Sequence, residues 1–264
     1  VFPIIENRQE TLAENIDFGI AHEDEDILIV DKPSGLVVHP GHGNHTGTLQ
    51  NGLLYYLPSL KYLPRGGLIH RLDKDTSGLL VIAKTSRSYK QMVSALQNRK
   101  ILREYRAICV GAMSSGGMVD ANISRNTKNR IKFTISKKGK HALTHFRILR
   151  KFEKHTYLGL RLDTGRTHQI RVHMAHIKYP LLGDPLYGKR LIIPRGATKT
   201  LQSKLQHFKR QALHANRIRF NHPISHKELI IKSKIPEDIL SILIALSNGP
   251  IQQEDIESLK YPEN

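Results

Sequence analysis

A single cysteine, Cys109, is all the thiol that this chain of 264 residues holds. An internal disulfide is therefore excluded, and no thiolate metal cluster can be built. Long apolar stretches are missing as well. No uninterrupted run exceeds five residues, with 79–83 as one example, far short of the ~20 that a membrane-spanning helix needs. No tandem period or low-complexity tract marks a repeat protein. No basic-then-apolar opening resembles a signal peptide, so a cytoplasmic chain is the expectation. Acidic residues are scarce: Asp and Glu number 23 against 41 Lys and Arg, for a net charge of +18 and a pI near 10.0. Such an excess raises self-repulsion and points to a polyanionic partner, with a merely solvated basic surface as the alternative.

The charge is unevenly placed. Residues 124–154 carry eleven Lys or Arg, among them Lys137, Lys138 and Lys140, against the lone acid Glu153, and residues 189–219 carry nine with no acid. Beyond Ile235 the balance reverses, with Glu237, Asp238, Glu254, Asp255, Glu257 and Glu263 against Lys260. The basic region is expected to face phosphates and the tail to face away.

Residues 1–20 are weakly patterned and read as a linker or partial lead-in, with one domain expected over 21–264. Apolar runs at 27–30 and 79–83 predict buried strands, and 103–110 a strand with Tyr105, Ala107 and Cys109 on one face. Residues 131–136, 145–149 and 157–162 alternate cleanly and predict half-buried strands of an antiparallel sheet with a wet basic face. Strand is also expected at 213–220. Helices are predicted over 48–57, over a stretch capped by Ser86 and ending near Arg99, over 167–177 with Thr164 or Thr167 as cap, and over 238–247. The fold class is α+β: one mixed, largely antiparallel central sheet with flanking helices.

Chemistry is most legible in residues 70–78. Asp73 has Arg71 two positions back and Lys74 beside it, and neighbouring cations favour an ionised carboxylate. Asp75, Thr76, Ser77 and Gly78 supply a tight turn into the buried strand. On residues alone, Asp73 is either a reactive carboxylate or part of a structural turn with a solvated ion pair. A second constellation spans 164–173. Helical spacing places His168 and Arg171 together, and Arg166 and Arg171 are candidates for phosphate contacts or for pairing with Asp73.

Other chemistries find no support. Residues 183–189 have the spacing of a phosphate-binding loop, but Arg190 stands where Ser or Thr must hold magnesium and Pro185 removes a backbone donor. His39, His42 and His45 recur every three residues, and His173 and His176 lie one helical turn apart, but neither set has the Cys or carboxylate that would complete a metal site. A serine-hydrolase elbow is missing too.

The motifs taken in order carry a resemblance. His70, Arg71, Leu72 and Asp73 with Thr76, Ser77 and Gly78, then Arg103, Glu104 and Tyr105, then residues 165–173, and finally Gly183, Asp184, Pro185, Leu186, Tyr187 and Gly188 resemble the motif series of the RluA-type pseudouridine synthases. With Glu25, Asp26, Lys32, Pro33 and residues 38–41, the resemblance covers about residues 20–235, and within the family it lies nearest the members acting on large-subunit ribosomal RNA. It implies the pseudouridine synthase fold and transfer of uracil from its N1 to its C5 linkage on the same ribose, with no cofactor and no metal. By the same resemblance Asp73 is the catalytic carboxylate, acting as nucleophile on the sugar or as proton acceptor from it. Tyr105 stacks on the extruded base and assists proton removal from C5, Arg171 pairs with Asp73, and Arg71 enters the RNA helix where the base has left. Arg71, His70, Arg166, His168, Lys137, Lys138 and Lys140 are the expected RNA-binding residues, on a chain expected to act as a monomer.

Relatives of this subgroup usually carry an amino-terminal S4 RNA-binding domain, and residues 1–20 are too short to hold one. Either that domain lies elsewhere, or binding runs through the catalytic domain alone. Large-subunit ribosomal RNA is the expected substrate. A transfer RNA synthase of the same family, an N-glycosylase that would release free uracil, and a non-catalytic RNA-binding assembly factor are the alternatives.

Overall fold

The structure, a computed structural model, describes residues 11–41, 43–188 and 190–247. His42, Lys189, residues 1–10 of the expected lead-in and the acidic residues beyond 247 lie outside them. Eleven strands are described: β1 (Gly19–Glu23), β2 (Ile27–Lys32), β3 (Ser77–Ala83), β4 (Leu102–Val110), β5 (Gly117–Asp120), β6 (Ile123–Arg125), β7 (Phe133–Ile135), β8 (Leu143–Lys151), β9 (His155–Leu162), β10 (Leu213–Asn221) and β11 (Glu228–Lys232). The α-helices are α1 (Leu49–Tyr56), α2 (Ser86–Gln97), α3 (Gln169–His176), α4 (Lys199–His207) and α5 (Glu237–Leu246). None of the described helices is long and apolar enough to cross a membrane.

The main sheet runs β1-β2-β3-β10-β4-β9-β8-β5, with β11 also on β10. Only β3 and β10 pair in parallel, and the other described pairs of this sheet are antiparallel. The expected mixed, largely antiparallel α+β architecture is what is found. The parallel contact is short, His214 to Ser77 and Ala215 to Gly78, after which β11 takes over the same edge of β10. Gly78 permits this crossing. Its φ is +109°, and a Cβ there would lie 2.3 Å from the Ala215 carbonyl oxygen, so any side chain would push the two strands apart.

Alternation along the strands divides the core. Leu28, Val30, Leu80 and Ile82 pack toward Leu49 and Leu53 of α1, while Ile27, Ile29, Leu79 and Val81 pack with Met92 of α2. Tyr105, Ala107 and Cys109 share a cluster with Ile170 and Met174 of α3, whereas Ile108 and Val110 meet Leu201 and Leu205 of α4 and Ile239 and Leu243 of α5.

Four expectations need correction. β7 does not join the main sheet; it pairs with β6 in a separate two-stranded ribbon. The wet face does not extend to β9, which is buried on both sides apart from Arg161, which is half-buried. Helices α4 and α5 cover the face that alternation alone left open. The cap of α2 is Thr85, not Ser86: its hydroxyl accepts from the Ser88 amide at 3.1 Å while the Ser88 hydroxyl accepts from the Thr85 amide at 3.2 Å, a capping box of about 1 kcal/mol. Finally, α3 starts at Gln169 with His168 as its left-handed N-cap, φ 56°; Thr164 instead accepts from the Leu143 amide. Residues 11–18 lie against α1, where Asn51 donates to the Leu12 carbonyl and accepts, through its own carbonyl, from the Glu14 amide.

Among the described residues, buried histidines include His70, His155 and His214, which burial holds uncharged. Burial lowers His155 and His214 to about 4, and lowers His70 to about 3 with help from Arg103 and Arg65. Below about pH 6.5 the unfolded chain binds protons that the folded chain refuses. Stability is therefore complete above 6.5 and declines on acidification, by up to about 1.4 kcal/mol per pH unit for each histidine. Urea midpoints are expected to fall between pH 7 and 5, and His155→Gln to make the decline shallower; an unaltered slope would reject this origin.

Candidate active site

A cleft of about 510 Å³ opens where the loop before β3, the start of β4 and the start of α3 converge. Asp73 lines it and is partly buried, its side chain 17% exposed.

The loop carrying Asp73 is pinned through consecutive carbonyls. The Asp73 carbonyl accepts from the Thr76 amide at 3.1 Å. That of Lys74 accepts from the Gly35 amide at 3.0 Å and from Lys32 Nζ at 2.8 Å. Arg210 Nη1 donates to the Asp75 carbonyl at 3.1 Å. Lys32 is wholly buried and also donates to the Pro33 and Leu36 carbonyls, each at 2.8 Å. Burial draws its ammonium down to about 7, against the attraction of Asp75 and Asp73. All three ammonium hydrogens find acceptors, so Lys32 ties the Lys-Pro segment to the turn that presents Asp73.

The cation at Asp73 comes from α3. Arg171 Nη1 donates to Asp73 Oδ2 at 3.0 Å. Its remaining edge is held by Asp184: Nε to Oδ2 at 2.7 Å and Nη2 to Oδ1 at 2.9 Å. The Asp184 side chain is fully buried, and Oδ1 also accepts from the Leu186 and Tyr187 amides at 2.9 and 3.0 Å. Burial opposes charge on both partners of this bidentate pair. The pair outweighs it, lowering the Asp184 carboxyl and, with Asp73, raising the Arg171 guanidinium. Arg71 and Lys74, the neighbours in sequence, are exposed, and no ion pair joins them to Asp73 among the described residues.

His168 closes the other side, with Nε2 at 3.9 Å from Asp73 Oδ1. Tyr187 Oη accepts from the Phe133 amide at 2.8 Å and is hydrogen-bonded to His168 Nδ1, also at 2.8 Å, which fixes the ring so that Nε2 faces the carboxylate. Burial lowers the pKa of His168, although Asp73 pulls the other way.

Tyr105 projects from β4 into the same cleft and is 5% exposed; burial raises its phenol pKa, Arg103 opposes this and Asp73 adds to it. His70, Arg71, Arg166 and His168 all line the cleft. His70 is buried, while Arg71 and Arg166 are exposed, Arg166 tethered by Nε to the His141 carbonyl at 3.0 Å. The structure does not bring Lys137, Lys138 and Lys140 into this lining; they are exposed in the turn after β7. His173 is buried with both ring nitrogens engaged, by the Thr144 hydroxyl and the Ala121 carbonyl.

In the sequence Asp184 and Tyr187 stand out only as motif members, with no role attached to either. The local pattern resembles a spoiled phosphate loop, and nothing within it signals a partner 13 residues earlier. An aspartate in a turn ahead of two backbone amides is the one local hint.

A family model described as RNA pseudouridylate synthase matches residues 26–176. The chain is 47% identical over 243 residues to ribosomal large subunit pseudouridine synthase D of Xanthomonas campestris, covering 92% of this chain and 73% of that protein. It is 50% identical over 239 residues to the Escherichia coli protein of the same name, covering 90% and 73%. Among solved structures, human RNA pseudouridylate synthase domain containing 4 superposes with a TM-score of 0.68 at 28% identity, covering 86% of this chain and 92% of that one. Human RNA pseudouridylate synthase domain containing 1 shares the fold with a TM-score of 0.62 at 23% identity, covering 84% of each chain.

Proposed function

The chain belongs to the RNA pseudouridylate synthase family, and on that premise we propose that it isomerises uridine to pseudouridine in large-subunit ribosomal RNA, with Asp73 as the catalytic carboxylate. One observation carries the residue assignment: a carboxylate at 3.0 Å from a guanidinium that is itself clamped by a second, fully buried carboxylate, in a cleft lined by a tyrosine ring. The substrate class rests on the names of the relatives.

The reaction breaks the N1–C1′ bond and forms the C5–C1′ bond; C5 loses a hydrogen and N1 gains one. Asp73 starts it, as nucleophile at C1′ or as acceptor of a sugar proton. Arg171 holds the carboxylate in position through its 3.0 Å hydrogen bond. Tyr105 stacks on the uracil and assists removal of the C5 hydrogen. A uridine inside a stem is out of reach, so the base is extruded at a cost of a few kcal/mol, offset by RNA contacts from His70, Arg166 and His168 and by Arg71 filling the vacated stack. The chain acts as a monomer in the cytoplasm.

Mapping pseudouridine in total RNA from cells lacking this protein tests the reading. Loss of the modification at particular uridines of large-subunit ribosomal RNA is the expected result. An unchanged ribosomal map would reject it, and loss confined to transfer RNA would move the substrate.

Lys137, Lys138 and Lys140 extend the RNA footprint beyond the cleft. Replacing all three by Ala is expected to weaken RNA binding and to lower the slope of log affinity against log salt by about one for each phosphate that is no longer neutralised. Wild-type affinity at every salt concentration would remove this turn from the footprint.

A further inference from the structure

Two buried donors in the cleft have no acceptor among the described residues. His70 is 8% exposed, and its Nε2 accepts from the Val81 amide at 3.1 Å. The ring hydrogen therefore sits on Nδ1, which is buried and unpartnered. Arg103 is 7% exposed, its Nε is buried without an acceptor, and no ion pair neutralises it among the described residues. Both line the cleft.

The backbone makes room for this guanidinium. A Cβ on Gly165 would lie 2.8 Å from Arg103 Nη1, so the guanidinium lies directly against the loop before α3 and would have to shift to admit a side chain there. Arg103 is two residues before Tyr105 on β4 and shares its face, about 7 Å along the strand.

Two further arginines belong to the same wall. Arg65 and Arg99 line the cleft, are exposed, and hold left-handed backbone conformations at φ 56° and 58°. Glycine adopts that conformation freely and arginine does not, so a cation is kept at each position against the preference of the backbone. The charge of Arg171, by contrast, is already matched by Asp73 and Asp184.

A buried guanidinium without a counter-charge is unfavourable, and water does not supply the charge. A phosphate does, and its oxygens match a fork of N–H donors. We propose that Arg103 and His70, with Arg65 and Arg99 at the rim, form a phosphate subsite that grips the RNA backbone beside the extruded uridine. This rests on the synthase reading for the identity of the anion.

The test measures binding apart from turnover. Filter binding of a stem-loop transcript from large-subunit ribosomal RNA, at salt concentrations from about 50 to about 200 mM, compares wild type with Arg103→Met, which keeps the apolar stem. Affinity is expected to fall about tenfold and the salt slope to drop by about one. Arg65→Gly with Arg99→Gly is the second variant. It removes two cations where the backbone favours glycine, so it should melt no lower than wild type and yet bind RNA less tightly. If both variants bind with wild-type affinity and slope, the subsite is overturned.

A transcript with one neutral methylphosphonate beside the target uridine places the contact. It should weaken wild type about as much as Arg103→Met does, and leave Arg103→Met no weaker; additive losses would overturn the placement. Should wild type bind with the expected slope and form no pseudouridine, the synthase reading fails while the phosphate contact is still read from the variants.

Discussion

Asp73→Asn is expected to slow pseudouridine formation by a factor of at least about 10³, while affinity for the RNA stays within about tenfold. The side chains are nearly isosteric, and the amide oxygen still accepts from Arg171 Nη1, which donates to Asp73 Oδ2 at 3.0 Å in the wild type. Arg171 keeps its two bonds to Asp184, so the cleft should hold its shape and the melting temperature should scarcely move. What is lost is the negative charge, and with it the ability to attack C1′ or to accept a sugar proton. Binding is insulated because phosphate contacts supply most of it and Asp73 makes none. Single-turnover assays following loss of the C5 hydrogen, set beside filter binding, separate the two quantities. An Asn variant that isomerises uridine at the wild-type rate would remove Asp73 from the chemistry.

Asp184→Ala is expected to damage both fold and turnover. The Asp184 side chain is 0% exposed and that of Arg171 5% exposed, and removing Asp184 leaves Arg171 Nε and Nη2 without acceptors and only Asp73 to offset the charge, at a cost of about 3–5 kcal/mol for breaking a buried pair. Two backbone amides, of Leu186 and Tyr187, lose their acceptor at the same time. For a chain of this size the melting temperature should fall by about 10 °C or more. At temperatures where the variant stays folded, kcat should drop more than RNA affinity, because Arg171 is no longer held on two sides and Asp73 loses its aim. Asp184→Asn should sit between the two, since its oxygen still serves the amides while the charge is gone. Urea unfolding together with saturating-RNA kinetics checks this; an Ala variant as stable and as active as wild type would show that the clamp is dispensable.

The elements legible in the sequence are those whose period survives without knowing what lies opposite. The strand β3, with every residue buried, and the stripe of Tyr89, Met92, Val93 and Leu96 on α2 are of this kind. Elements that escape such a reading are short or polar: β1, β5, β6 and β11 have five residues or fewer, and α4, inside a basic stretch, buries only Leu201 and Leu205. Alternation at 133–135 marks a strand correctly but cannot say which sheet it joins, because register depends on the partner. At β9 it suggests a wet face that α4 and α5 cover from more than 35 residues away.

The site divides in the same way. The turn at 73–78 and the proximity of His168 to Arg171 are local and readable. The partnership of Asp73 with Arg171 spans 98 residues and rests, in the sequence, on resemblance alone. Arg71, the cation that sequence proximity favours, makes no ion pair with Asp73 among the described residues. In the sequence Lys32 figures only as part of the resemblance, and only the folded chain shows its ammonium meeting the turn 42 residues on.

That fastening has a bearing on which RNAs are good substrates. With the carbonyls of residues 73, 74 and 75 each tied down, the backbone that presents the Asp73 carboxylate has little freedom to travel toward a nucleoside that arrives out of place. Adaptation then falls to the nucleic acid, and uridines in loops, bulges or mismatched pairs should outcompete the same base in an unbroken duplex.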